Sequence, residues 1–159
     1  MKRLCLLLCA VLVLLNACSS QYTATDLMAK ILTVSEGRSV TIYFSKAETE
    51  GEGYLSAENI MLLYNGMNPT VLSEDYAIAL SKDDELFEVH LYRALNTDNA
   101  EEIESVLQAR MLLLQSEENG WYVGENPAER AILMRSGNWV ALLVTEDNAA
   151  VKELLSSML

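Results

Sequence analysis

Between residues 75 and 159 the pattern strand, turn, strand, helix occurs twice, and this most constrains the fold. "DYAIALS" (75–81) and "LFEVHLYRAL" (86–95) flank the polar "KDDE". In the second run Phe87, Val89 and Leu91 alternate with Glu88, His90 and Tyr92. Period-two alternation over so short a run is a strand signature, and the pair reads as a hairpin with one face in the core and the other toward solvent or a groove. A long helix follows in "DNAEEIESVLQARMLLLQSEE", with Ala100, Ile103, Val106, Leu107, Met111 and Leu114 as its stripe. Asp98 and Glu101 have the spacing of a capping box. The second unit joins "RAILMR" to "WVALLVT" through Ser136, Gly137 and Asn138, residues suited to a tight turn. These two runs are apolar almost throughout, which predicts a place at the sheet centre. "EDNAAVKELLSSML" then closes as a helix, with Val151, Leu154, Leu155 and Met158 inward.

Upstream, "TDLMAKILTVSEG" predicts a helix capped by Thr25, with Leu27, Met28, Ile31 and Leu32 on one face and Gly37 at its end. "SVTIYFS" (39–45) predicts a strand and "KAETEGEG" (46–53) a solvated loop. "SAENIMLLYNG" predicts a short helix from cap Ser56 to stop Gly66, with Ile60, Leu63 and Tyr64 inward. The sum is an α+β domain: an antiparallel sheet of about four strands, in two hairpins, with helices packed on it. No stretch within residues 26–159 is rich enough in Pro, Gly or Ser to divide this single domain.

The first 17 residues have a different character. Met1, Lys2 and Arg3 precede "LCLLLCAVLVLL" (4–15), a basic head and a short apolar run in the manner of a secretory signal. A membrane span needs about 20 apolar residues, and the run stops short of that. "LNAC" resembles a lipobox, the processing site of bacterial lipoproteins, with Leu15 at −3, Asn16 at −2, Ala17 at −1 and Cys18 at +1. The resemblance implies cleavage after Ala17, diacylglycerol on the Cys18 thiol, and residues 18–25 as a short tether. The expected location is the extracytoplasmic face of the cell membrane. Where an outer membrane exists, Ser19 at +2 permits sorting to it.

Cleavage also changes the chemistry available. Cys5 and Cys9 leave with the signal and Cys18 is acylated, so no free thiol remains for a disulfide, a nucleophile or a metal. Loss of Lys2 and Arg3 leaves nine basic residues against 23 acidic, which takes the charge from −12 to −14. Such a chain repels nucleic-acid phosphates and anionic headgroups. Membrane contact is therefore expected through acyl chains and not through a basic patch.

Several motifs in the domain also resemble one family. "EVHLYRA" (88–94) is similar to the E-apolar-x-apolar-aromatic-basic strand of the lipoprotein family called domain of unknown function 4358. Arg110 matches that family's helical arginine, and Tyr122 matches an aromatic after the helix. "GNWV" (137–140) is similar to its G-N-aromatic-V hairpin, with Trp139 in the aromatic place. "LLYNG" (62–66) is similar to its LYG turn, with Asn65 interposed. The resemblance spans about residues 56–155. It implies a secreted or lipid-anchored protein of Clostridia and related Firmicutes, and it implies no activity.

Chemistry-bearing residues are few. His90 is the single histidine. It can serve as a general base, but one histidine makes no histidine-rich metal site, and an exposed structural role is the expectation. Glu88 and Arg93 fall on opposite faces of an ideal strand, so Arg110 is a candidate partner for Glu88, in a structural pair or at a ligand site. Trp121, Tyr122 and Trp139 are candidates for an aromatic interaction or ligand surface, or for core. "DDE" (83–85) and "ETEGEG" (48–53) lack the spacing of an EF-hand loop. With 23 acidic residues, sequence selects no carboxylate pair for glycoside hydrolysis. No phosphate-binding glycine loop and no serine-hydrolase elbow is present. The expectation is a non-catalytic, lipid-anchored envelope protein without cofactor or metal, an interaction or accessory domain for an unknown envelope-protein or cell-wall partner. The alternatives are a small-molecule or peptide binding module and, third, a carboxylate-based hydrolase.

Overall fold

A computed structural model describes residues 22–35, 39–82, 86–116 and 127–159. Cys18, Gly37, Trp121 and Tyr122 lie outside the described residues. Five antiparallel strands form one sheet: β1 (Val40–Phe44), β2 (Ser73–Ser81), β3 (Glu88–Ala94), β4 (Ile132–Ser136) and β5 (Trp139–Val144), in the spatial order β1-β2-β3-β5-β4. Four α-helices are described: α1 (Ala24–Val34), α2 (Ala57–Leu63), α3 (Thr97–Gln115) and α4 (Asn148–Met158). Single turns of 3-10 helix occupy Pro69–Leu72 and Pro127–Arg130. The α+β class and both hairpins are as the sequence reads. The strand count is five because β1 pairs with β2, Ile42 opposite Ala79.

Both faces of the sheet are covered. Leu27, Met28 and Ile31 of α1, with Val151 and Leu155 of α4, pack on Phe87, Val89, Leu91, Ala141 and Leu143. On the other face α2 and α3 supply Ile60, Ala100, Ile103, Val106 and Leu107 against Ile78, Tyr92, Val140 and Leu142. Three strands, β2, β3 and β5, have neighbours on each side, and of these β3 and β5 are the most deeply buried. β4 corrects the expectation of a central strand. It is the edge partner of β5 and is half-buried along its length. Apolar content alone does not separate an edge strand covered by a helix from a central one.

Two helix starts also differ from the sequence reading. α1 is capped by Thr23, not Thr25: the Thr23 hydroxyl accepts from the Asp26 N–H at 3.1 Å, and the Asp26 carboxylate accepts from the Thr23 N–H at 3.0 Å. α3 is capped by Asn96, whose side-chain oxygen accepts from the Asn99 N–H at 2.9 Å. In both places a residue two positions earlier satisfies a free first-turn N–H. Ser56 caps α2 as expected. That helix ends on two successive left-handed residues, Asn65 (φ 53°) and Gly66 (φ 91°). A Cβ at Gly66 would meet nothing within 4 Å, so its requirement is the positive φ alone.

Candidate functional site

β3 holds the polar centre of the molecule. Its even positions, Glu88, His90 and Tyr92, all point toward α2 and α3, and all are buried. His90 is 0 % exposed, which corrects the expectation of an exposed histidine. Alternation marks the two faces of β3 correctly. Helices cover both, so the polar set is enclosed as fully as the apolar one.

The enclosed groups form one chain of hydrogen bonds. Arg110 reaches down from α3 and grips Glu88 with two bonds, Nη2 to Oε1 at 2.5 Å and Nε to Oε2 at 3.1 Å. Its Nη1 lies 3.5 Å from the carbonyl oxygen of Leu63 at the end of α2. His90 Nε2 lies 3.0 Å from Glu88 Oε2, and His90 Nδ1 lies 2.6 Å from the Tyr64 hydroxyl. That hydroxyl is 2.8 Å from the Tyr92 hydroxyl. The tyrosine and imidazole rings meet edge-on, and Tyr76 stacks on Tyr92.

Charge fixes the direction of every bond. Burial would raise the Glu88 pKa, but the hydrogen bonds from His90 and Arg110 and the Arg110 charge outweigh it and hold it at about 2. An ionised carboxylate only accepts, so His90 carries its proton on Nε2 and donates to Glu88. Nδ1 is then an acceptor and takes the Tyr64 proton. Tyr64 in turn accepts from Tyr92. Burial, with the Arg110 charge nearby, depresses the His90 pKa despite the Glu88 contact. Neutral imidazole leaves one positive and one negative charge enclosed, Arg110 and Glu88. A second buried cation would be uncompensated.

Tyr64, His90 and Glu88 share the connectivity of a nucleophile, base and orienting acid. The setting does not suit that chemistry. The Tyr64 hydroxyl is engaged on both sides, the residue is 2 % exposed, and burial pushes its pKa far above the ordinary tyrosine value. The other buried carboxylate, Asp75, accepts from the Ala24 N–H at 2.8 Å and from the Ser45 hydroxyl at 2.6 Å. Asp75 lies opposite Arg93 across the sheet, five residues along β3 from Glu88. That is about 17 Å at the strand rise, well beyond the roughly 5–10 Å of paired glycosidase carboxylates. Among the described residues no group of three or more His, Cys, Asp or Glu is placed to hold a metal.

Above the network lies a groove of about 390 Å3 between the end of α2 and the C-terminal half of α3. Leu63, Met67, Ala109, Leu112 and Leu113 make its walls, and Tyr64, Asn65, Arg110 and Ser116 contribute polar atoms. Leu112 and Leu113 are 57 % and 45 % exposed, and Met61, Leu62 and Met67 nearby in sequence are exposed as well. Arg110 links the two features, since it lines the groove and its guanidinium holds Glu88. A smaller cleft of about 210 Å3 lies between Val34, Phe87, Asp147 and Val151 on the other side. Its Asp147 carboxylate is engaged as the cap of α4, which makes it the poorer candidate.

Of the residues singled out by sequence, Glu88 and Arg110 come together. Trp139 does not join them. It is 6 % exposed, belongs to the opposite core, and has the Arg93 guanidinium 5.6 Å from its ring centroid. Arg93 also pairs with Glu74 at 2.7 Å. The sequence reading missed Tyr64 and Tyr92 as polar partners. The sequence places Tyr64 inward but Tyr92 on the face toward solvent or a groove, and the hydroxyls become informative only once three elements converge.

Compared with known proteins, the chain matches no family model, no curated protein and no solved structure. A functional reading therefore stands on the residues and their geometry.

Proposed function

We propose that this protein is a lipid-anchored, non-catalytic interaction domain of the cell envelope. Cys18 holds it at the outer face of the cytoplasmic membrane, and the groove between α2 and α3 receives its partner. One observation carries the reading: the chain enters the fold at one end of the sheet and the groove lies toward the other. Ala24 donates to Asp75, which sits opposite Arg93, whereas Arg110 reaches the groove from above Glu88. The five Cα–Cα steps from Cys18 to Thr23 span at most about 18 Å. A lipid on Cys18 keeps the Asp75 end near the bilayer and turns the groove outward. Among the described residues no helix is long and apolar enough to cross a membrane, so the attachment proposed is the acyl chain. The lipoprotein resemblance of "LNAC" supports the anchor, and the fully engaged buried carboxylates favour binding over hydrolysis.

The test is in-cell photocrosslinking from position 113, with and without Cys18→Ser, read by mass spectrometry. The expected result is lipid mass on Cys18 in the native protein and one enriched membrane or wall partner, both lost in the variant. Unmodified Cys18 overturns the anchor. Lipid without any partner enriched from position 113 overturns the groove as the interaction surface.

A further inference from the structure

We propose that the groove takes a short apolar peptide segment, which docks a neutral main-chain carbonyl on the Arg110 guanidinium. The inference rests on the reading of the groove as the binding surface and names what fits it.

The walls require an apolar occupant. Leu63, Met67, Leu112 and Leu113 surround a space of about 390 Å3, within the range of ligand sites and enough for a few aliphatic side chains. The exposed apolar surface continues onto Met61 and Leu62 of α2. A peptide laid between two helices can use both the groove and this extension.

The polar head follows from charge. Among the described residues Arg110 is the one basic residue lining the groove, and none of the others is acidic. Its charge is already balanced by Glu88 through two bonds, so the described lining adds no net charge to the groove. An anionic head would add an unbalanced charge beside Glu88. Donor capacity nevertheless remains. A guanidinium has five N–H groups; two serve Glu88 and one faces the Leu63 carbonyl. The others suit an acceptor that brings no charge. A peptide carbonyl is such an acceptor, and an apolar peptide carries one at every residue.

The experiment uses the chain from Cys18 onward with Cys18→Ser, because both core clusters are built from Ala24 and later residues. Backbone amide shifts are followed while N-acetyl-trileucine amide and, separately, decanoate are added. The peptide is expected to shift the amides of Leu63, Tyr64, Asn65 and Met67 and those of 109–116, together with the Arg110 Nη–H groups. Decanoate is expected to bind at least tenfold more weakly. Leu113→Asp, on the exposed wall and outside the buried network, is expected to weaken the peptide at least tenfold. Arg110→Lys retains the charge and loses the planar fork, and a threefold or greater loss is expected. The wild-type Arg110 Nη–H shifts give the same information if that variant does not fold.

If neither probe moves groove amides, or both map elsewhere, the groove is not the binding surface and the reading beneath this inference fails. If decanoate binds there as tightly as the peptide, that reading stands and the neutral-carbonyl inference is overturned. A peptide bound in the groove without any shift of the Arg110 Nη–H groups also overturns it.

Discussion

Both faces of β3 are covered by helices, and they are chemically different. Phe87, Val89 and Leu91 meet α1 and α4 in an apolar layer. Glu88, His90 and Tyr92 meet α2 and α3 through a chain of hydrogen bonds that begins at a groove and ends at a buried hydroxyl. One seven-residue strand thus separates a core held by area and packing from a core held by charge and direction. The apolar face tolerates small shifts, since dispersion has no preferred angle. The polar face does not, because each group has one donor or acceptor to satisfy. The groove sits over the face whose geometry is fixed.

The largest effect should come from opening the polar face. Glu88→Ala leaves Arg110 and His90 without their carboxylate and is expected to cost about 3–5 kcal/mol, as removal of one partner from a buried pair does; denaturant unfolding measures it. Leu91→Ala removes a fully buried side chain from the apolar face and is expected to cost about 2–5 kcal/mol through lost transfer and the cavity left. The two variants are distinguished by pH more than by size.

Acid separates the faces further. The His90 pKa is depressed by folding, so the folded state resists the proton that the unfolded chain takes up near pH 6.5. Stability is full above that value and declines as pH falls below it. Glu88, held at about 2 against an ordinary 4.5, adds a second decline between about pH 4.5 and 2. Leu91→Ala should give a thermal midpoint lowered in parallel at every pH. His90→Gln should flatten the profile between about pH 6.5 and 5, a range in which the chain's other side chains have no ordinary pKa. A wild-type midpoint that stays level from pH 7 to 5 would contradict the account.

Two smaller effects sharpen the contrast. Tyr92→Phe removes the hydroxyl that donates to Tyr64 and is expected to cost about 1–2 kcal/mol. Thr23→Ala, at the start of α1 on the apolar side, breaks the capping box and is expected to cost about 1 kcal/mol. The Tyr92 variant should also alter the His90 ring resonances, and the Thr23 variant should leave them unchanged.

Much of this arrangement was legible in the sequence. The hairpins over residues 75–94 and 132–144 follow from alternation and from Gly137, which has φ 56°. The Glu88–Arg110 pair was a candidate because Arg93, at odd spacing, had to face away. His90 was read as exposed because alternation shows that a strand has two faces and not what covers each. The second cover depends on α3 turning back over β3 after Ala94, a tertiary fact. β4 was read as central because its apolar residues do not reveal that β5 alone pairs with it. The groove was illegible for a related reason. Leu112 and Leu113 sit within an apolar helical run, and their exposure depends on where α2 ends.

The account rests most directly on the protonation state of His90. As the single histidine, it gives one unambiguous set of long-range 1H–15N correlations. At pH 7 the expected spectrum is that of a neutral ring with its proton on Nε2, and it should persist well below pH 6.5. A ring protonated on both nitrogens at pH 7, or one titrating with an ordinary midpoint near 6.5, would contradict the closed, directional network on which the groove is built.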